Sequence, residues 1–518
     1  MKKTLSYCLL LFGQCLFVLV FGTLILQIIF SMKSPDSIFK DVSSAKMAIY
    51  ALCIGGILIS FCSNKTMFFF KYGKGFMLGA WLVWFVLQGL YIYSTYSQTG
   101  SDSFVVSYHA WNITHNLESD EFFWQYFARY QNNIPLLILL LGCCKLLGNL
   151  LSYSNLWMVL AITAALFADL AIYWTVKLSG AICKRKTSIL FAFVSAVLFI
   201  GLSEEASIIY SDIAVLWTIP CSLYFYFMAF EKRKKVFRNV VLSGIVIGLG
   251  GVFKPQVFVV AVSIFIIRGL YLIYWRNNKV SISNLKYLIS FFTMMLFVYF
   301  SLFHISYYLY ASILPEQYNG KNYLVEQKYP IAHWINMGLN EYFGAYSVDD
   351  VDFTGNISGL EEKKTALKLS IRQRLENKSL KDLIVYENHK VVLAIQNGTF
   401  SQDMVWKGQL LNHSTLALRL QPYFVASYPQ WKNGLGLIIQ ILYIFVIILC
   451  LYAEIRYLYS GIWFEESFIQ IMTVSLIGGI CFIILLERNM RYFYSMLPIL
   501  IVLTAKGVSH IASENHVL

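Results

Sequence analysis

The chain has 518 residues, 58% of them hydrophobic and only 13% charged, with a mean hydropathy of +0.61. That composition excludes a water-soluble globular protein, which needs far more polar surface. The net charge of +13 reads as basic loops on one side of a membrane, where lysine and arginine collect, rather than as a nucleic-acid surface.

Apolar runs recur from end to end: Leu5 to Phe30, Phe76 to Thr95, Leu156 to Leu178, Leu435 to Tyr452 and Phe468 to Leu486. Each is long enough to cross roughly 30 Å of hydrocarbon as a helix. Because they are continuous rather than alternating, they predict an all-α polytopic membrane protein and not a β-barrel. The first run is too long for a signal-peptide core and lacks a small-residue cleavage site, so it is expected to remain as a helix. The ten cysteines lie almost entirely in such runs, which argues against a disulfide framework or a zinc site.

Orientation follows from the basic residues. Lys2 and Lys3 put the N-terminus in the cytoplasm, and Lys65, Lys71 and Lys74 follow the second run on the same side. The third run then places Tyr96 to Asn133 outside. Lys184 to Lys186, Lys232 to Arg238 and Arg276 to Lys286 should all be cytoplasmic. They can be so only if one of the two runs Ile134 to Leu150 and Leu156 to Leu178 does not cross. The first is short, begins at a proline and carries Lys145, so it is read as an interfacial helix. The map then has about twelve crossings, with both termini cytoplasmic in the cell membrane. Its parts are N-terminal helices (1–95), a first external loop with interfacial helices (96–155), a transmembrane core (156–311), a large external loop (312–433) and C-terminal helices (434–518). The large loop is the longest polar stretch, includes a predicted helix from Leu360 to Glu376, and is too long for an idle connection.

Four polar sites fall on the outer face. Asp102, in "SDSFVVSYHAW", is the first acid since Asp41 and precedes Phe104, Tyr108 and Trp111 at helical spacing. Phe122, Phe123, Tyr126, Phe127 and Tyr130 follow, and both patterns suit helices with an aromatic face on the membrane. Asp102 reads as a reactive carboxylate or as the N-cap of the first of these helices. In "SEEASIIYSDI" the acids Glu204, Glu205 and Asp212 share a short turn. Carboxylates at that depth mark sites unless the turn is simply solvated. In "GLGGVFKPQ" the helix breaks at Lys254-Pro255, leaving a lysine outside, suited to an anion such as phosphate or to snorkelling toward headgroups. In "ERNMRYFYSMLP" Arg488 and Arg491 sit three apart on one helical face, able to hold phosphate oxygens, and Arg129 adds another outward cation.

This ordered set resembles the GT-C superfamily of integral-membrane glycosyltransferases, particularly bacterial members that use polyprenyl-phosphate sugars. The resemblance spans nearly the whole chain. An acid just after a transmembrane helix in the first large external loop matches Asp102. The proline-started juxtamembrane helix matches "YQNNIPLLILLLGCCKLLG". The second acid matches Asp212, the basic residue before proline matches Lys254, and the late arginine-tyrosine helix start matches Arg491-Tyr492. The stretches "HWINMGLN" and "GAYSVDDVDF" look like large-loop segments of Gram-positive members. Ser103 stands where many relatives have a second acid, and Asn132 and Asn133 stand where some have a basic residue.

The resemblance implies transfer of a sugar from a polyprenyl-phosphate donor to a cell-envelope glycan, teichoic acid, glycolipid or protein, outside the cell. Asp102 would be the general base and Asp212 its partner or an acceptor-orienting group. Lys254, Arg488, Arg491 and Arg129 would hold the donor phosphate, and His109, Glu205 and Tyr108 would line the site. No cofactor is required, since cations can neutralise the leaving group, although a divalent metal is compatible with the same chemistry. A transporter or flippase of lipid-linked saccharides is the main alternative; inverted repeats or charges near the bilayer midplane would favour it, and neither stands out in the sequence. A non-catalytic envelope scaffold is the third.

Overall fold

The computed structural model describes residues 2–33, 37–62, 73–100, 102–147, 152–183, 185–274, 280–318, 320–400, 409–460 and 467–514. Lys65, Lys71, Lys184, Arg276 and Lys279, used above to orient the chain, lie outside these residues, as do Ser101 and 148–150 of the predicted interfacial helix.

The chain is a bundle of apolar helices. It opens with α1 (Lys2–Ser31), α2 (Ser44–Cys62) and α3 (Gly73–Thr95), then three shorter helices, α4 (Asp102–Thr114), α5 (Glu121–Arg129) and α6 (Ile134–Leu147). The centre comprises α7 (Tyr153–Ile182), α8 (Lys186–Ala196), α9 (Ser211–Leu216), α10 (Thr218–Phe230), α11 (Val236–Phe253), α12 (Phe258–Tyr274) and α13 (Val280–Ile313). The polar region carries α14 (Gly320–Gln327), α15 (Ile331–Gly338), α16 (Val348–Gly355), α17 (Leu360–Glu376), α18 (Leu380–Ile395), α19 (Thr415–Phe424) and α20 (Pro429–Asn433). The chain returns to the bundle through α21 (Leu435–Ser460), α22 (Ser467–Leu485), α23 (Met490–Tyr494) and α24 (Leu497–Glu514). One two-residue ladder, Ser97–Gln98 against Gln409–Leu410, ties the end of α3 to the polar region.

Among the described residues, eight helical stretches are long and apolar enough to cross a membrane: Leu11–Ser31, Gly75–Thr95, Tyr153–Ile182, Ser211–Phe230, Val236–Phe253, Leu285–Ile313, Pro429–Tyr459 and Ser467–Leu485. Four shorter apolar helices, Ser44–Ser60, Lys186–Gly201, Pro255–Tyr271 and Leu497–Ile511, accompany them. Length and composition therefore carry eight spans, or nine if the bent helices of 121–147 count as one, and the expected twelve would need all four shorter helices to cross instead. Apolar side chains are left outward along the long helices, as Phe12, Leu19 and Leu26 are on α1. That is the surface a helix presents to hydrocarbon rather than to water.

The segment 121–147 is bent by 97° between α5 and α6. With 14 residues, α6 spans only about 21 Å, shorter than a hydrocarbon core. α7 runs antiparallel to α3. Its first turn meets α4, with Tyr153 5.8 Å from the Trp111 ring, and its middle meets α3, where Asp169 accepts from Trp84 and Gln88. The C-terminal end of α3 and the N-terminal end of α7 thus share one end of the bundle, and Arg185 and Lys186 lie at the other. The aromatic stripe of α4 is spent largely inside the protein, since Phe104 stacks on Trp157 of α7 at 5.9 Å.

The 360–376 helix forms over the residues expected of it. Glu361 and Glu362 lie in its first turn and Arg374 in its last, complementing the helix dipole. α18 opens with a capping box between Ser379 and Asp382. The nine cysteines whose side chains are described are all free thiols.

Candidate active site

The ends of α3, α10, α11, α22 and α24 that meet at one end of the bundle bring four distant segments together. α4 begins at Asp102, where the helix N-terminus favours a carboxylate. Asp212 lies in the first turn of α9. Lys254 is the residue at which α11 stops, because Pro255 cannot supply the next backbone donor. Arg491 lies in the short helix α23, whose N-cap Asn489 accepts from the Arg491 amide.

The side chains meet. Lys254 and Asp212 form a buried ion pair. The Arg491 guanidinium bridges both acids, 3.6 Å from Asp102 Oδ2 and 3.8 Å from Asp212 Oδ2, and lies over the Tyr210 ring at 5.0 Å. Asp102 Oδ1 accepts from Tyr126 Oη at 2.9 Å. The Tyr210 hydroxyl lies 3.3 Å from Asp102 Oδ2 and 3.2 Å from Asn133 Oδ1, so its single proton serves one or the other. Asn133 Nδ2 donates to Tyr126 Oη at 2.7 Å. Asp102 thus spends its oxygens on Tyr126, Tyr210 and Arg491, facing the cluster. Its side chain is 40% exposed, against 2% for Asp212.

The two departures from the GT-C pattern have local roles. Ser103 Oγ donates to the Ile209 carbonyl at 2.8 Å, tethering α4 to the turn that carries Asp212. Asn133 orders the two tyrosines that reach Asp102.

The charge balance is negative. Asp102, Asp212, Glu205 and Glu487 surround Lys254 and Arg491, four carboxyls against two cations. Burial pushes the Glu205 and Glu487 carboxyls above their ordinary range, against the pull of Arg491 and Lys254. Those two are therefore the acids best suited to carry protons. Glu487 also accepts from Tyr492 Oη at 2.6 Å. Burial, and then Arg491, push the Lys254 ammonium well below its usual range, with Glu205 and Glu487 pulling the other way. Among the described residues, no three metal-ligating side chains are grouped so as to hold an ion.

Of the residues singled out in the sequence, Asp102, Asp212, Lys254, Arg491 and Glu205 come together, and four others do not. His109 is fully buried between Phe123, Trp124 and Phe127, the nearest ring at 4.5 Å, and burial pushes its imidazole down to about 3. Tyr108 stacks among Phe104, Phe123 and Tyr153. The Arg129 guanidinium lies over the Tyr329 ring of the polar region at 5.8 Å. Arg488 gives its amide to the Gly344 carbonyl at 2.5 Å, and its charge bears on Tyr386 and Lys390. That contact is one of several locking the polar region to the segment before Arg491. Lys390, fully buried, donates to the Gly338 and Ile484 carbonyls at 2.8 and 2.9 Å.

Tyr126, Asn133 and Tyr210 are site residues that the sequence does not single out. Among 35 tyrosines, no pattern selects the two that face Asp102. Two acids inside spans carry a signal of their own, the rarity of charge in apolar runs. Asp169 Oδ1 accepts from Trp84 Nε1 at 2.8 Å and Gln88 Nε2 at 3.0 Å. Glu454, fully buried, accepts from Thr473 at 2.7 Å and Gln14 at 3.2 Å.

Long apolar helices with a polar centre at one end of the bundle define a polytopic α-helical integral membrane protein. The chain belongs to a family described as conserved hypothetical integral membrane protein, whose model matches residues 4–511. No curated protein and no solved structure matches it.

Proposed function

We propose that this protein is a GT-C-type glycosyltransferase, moving a sugar from a polyprenyl phosphate to a cell-envelope hydroxyl at the outer face of the membrane. The observation that carries the reading is the meeting of Asp102, Asp212, Lys254 and Arg491, from four separate segments, at one helix-bundle end. Arg185 and Lys186 at the opposite end support an outward orientation for that cluster. All four shorter apolar helices cross in this reading, giving twelve spans with both termini in the cytoplasm.

In the reaction, an acceptor hydroxyl attacks the anomeric carbon as its proton passes to Asp102, which is more exposed than Asp212. A bond forms from the acceptor oxygen to that carbon, and the bond from the carbon to the phosphate oxygen breaks. The leaving polyprenyl phosphate keeps the electron pair. Lys254 and Arg491 then face the growing negative charge, exchanging part of their contact with Asp212 for phosphate oxygens. Burial of Glu205 and Glu487 favours their neutral forms, which lessens repulsion of that charge. A divalent metal, if used, would supply further charge neutralisation.

The test is sugar transfer from a synthetic polyprenyl-phosphate donor by purified protein. Asp102→Asn should lower turnover about a hundredfold or more, as loss of a general base does. Asp102 is the first residue inside α4 rather than its N-cap, and asparagine of the same shape leaves that helix start in place. A stable mutant with near-normal turnover would end the assignment of Asp102.

The second reading is a transporter or flippase of lipid-linked saccharides, and Asp169 and Glu454 inside the spans favour it. It expects a labelled lipid-linked saccharide to change leaflet in proteoliposomes, with the movement lost in Asp169→Asn. Sugar transfer without such movement would eliminate it.

A further inference from the structure

Three aromatic rings near Asp102 are left open while their neighbours are buried. Tyr126 and Tyr210 are each 7% exposed, whereas Tyr346 is 55% exposed, and Tyr130 and Trp334 are half-buried. The Tyr130 ring lies 5.0 Å from that of Tyr126, whose hydroxyl is on Asp102, and 6.4 Å from that of Trp334 on α15. Tyr346, in the polar region, lies within electrostatic reach of Tyr130. It follows Gly344, whose positive φ of 72° turns the chain and whose carbonyl accepts the Arg488 amide. It precedes Ser347, the N-cap of α16. The charges of Asp102 and Glu487 reach both Tyr130 and Tyr346, and that of Asp352, exposed on α16, reaches Tyr346. The result is a group of partly open aromatic rings edged with hydroxyls and carboxylates, beside the partly exposed Asp102.

The chemistry of that group selects its ligand. A prenyl chain gains from unbroken apolar walls and loses where it desolvates carboxylates. A sugar ring matches both parts of that group. Its polarised C–H groups meet the electron-rich face of an aromatic ring. Its hydroxyls donate to carboxylates, which are acceptors only, and exchange hydrogen bonds with phenols. We infer that Tyr130, Trp334 and Tyr346, with Asp352 at the edge, form a saccharide subsite that lays an acceptor sugar beside Asp102. The inference deepens the glycosyltransferase reading, on which it rests for the use made of the bound sugar, by naming the acceptor as a glycan.

Binding is tested separately from turnover, with the full chain in nanodiscs and saturation-transfer NMR. The probes are chitotetraose, mannotetraose, a glycerol-phosphate oligomer and farnesyl phosphate. At least one tetrasaccharide should bind, with Kd raised about tenfold by Tyr346→Ala and by Trp334→Ala, the scale of a lost ring contact. Tyr346→Phe should retain most of the affinity, because the ring does the stacking. Since Tyr346 is largely exposed, its truncation leaves the fold intact. The subsite is overturned if neither saccharide binds, if binding ignores both alanine variants, or if only the glycerol-phosphate oligomer or farnesyl phosphate binds. Binding that behaves as expected, in a protein whose Asp102→Asn form keeps full turnover, would support the subsite and sink the catalytic reading alone.

Discussion

At Lys254 and Asp212 two charges out of water depend on each other. Removing one partner of such a buried pair leaves the other uncompensated and costs about 3–5 kcal/mol. Lys254→Met should therefore destabilise the protein by that order in a denaturation experiment, while Lys254→Met with Asp212→Asn recovers most of the loss. The double variant should still use donor poorly, because the phosphate contact is gone. Recovery of donor use along with stability would leave Lys254 a purely structural cation. Glu487 allows a test by pH. Its folded-state value lies above the ordinary 4.5, raised first by burial. Its contribution to stability is thus complete below 4.5 and is lost as pH climbs through the raised value. Thermal stability should fall over that window, and Glu487→Gln, which stays neutral, should flatten the slope. Equal slopes in both proteins would remove Glu487 as a proton carrier, leaving Glu205, which burial shifts the same way. Asp102, Asp212, Lys254 and Arg491 were legible because a charge in so apolar a chain needs a reason. Tyr126, Tyr210 and Asn133 were not, because their types are common and they matter only through whom they face.

The position of Lys254 depends on the helix that delivers it. α11 carries Gly244 and Gly248 one turn apart, the small-residue spacing that lets membrane helices approach closely. A Cβ at either glycine would lie 2.5 Å from a backbone carbonyl of α13, that of Phe291 or Met295. Gly248→Leu should force the helices apart, cost about 1–3 kcal/mol as overpacking does, and move Lys254 off Asp212. The expected result is a lowered melting temperature with a loss of donor use larger than stability explains; unchanged values would mean that α11 is not placed by this contact. Helix existence was readable from apolar periodicity and caps, and α17 formed as its charge pattern suggests. The partners of α4 were not readable. Its aromatic face would suit a membrane surface as well as Trp157 and Tyr153, and periodicity reports a face without saying what covers it.

For the whole molecule, the side on which each loop lies is the remaining test. Single cysteines at Arg185 and Asn377, in a cysteine-free background, should label from outside at Asn377 and not at Arg185. The reverse would turn the cluster toward the cytoplasm, and labelling of both would mean that α6 or another helix changes the count of crossings. Membrane residence, helical class and the residues worth suspecting could all be read along the chain, because hydrocarbon penalises each charge and each unpaired backbone group wherever it occurs. Which of the suspected residues meet depends on how each helix is rotated and how closely it approaches its neighbours, and packing between distant segments sets both. Arg488 and Arg491, three apart on one predicted face, part company for that reason. Arg491 turns inward to bridge Asp102 and Asp212, while Arg488 is held at the Gly344 carbonyl, near Lys390, by the polar region folded over it.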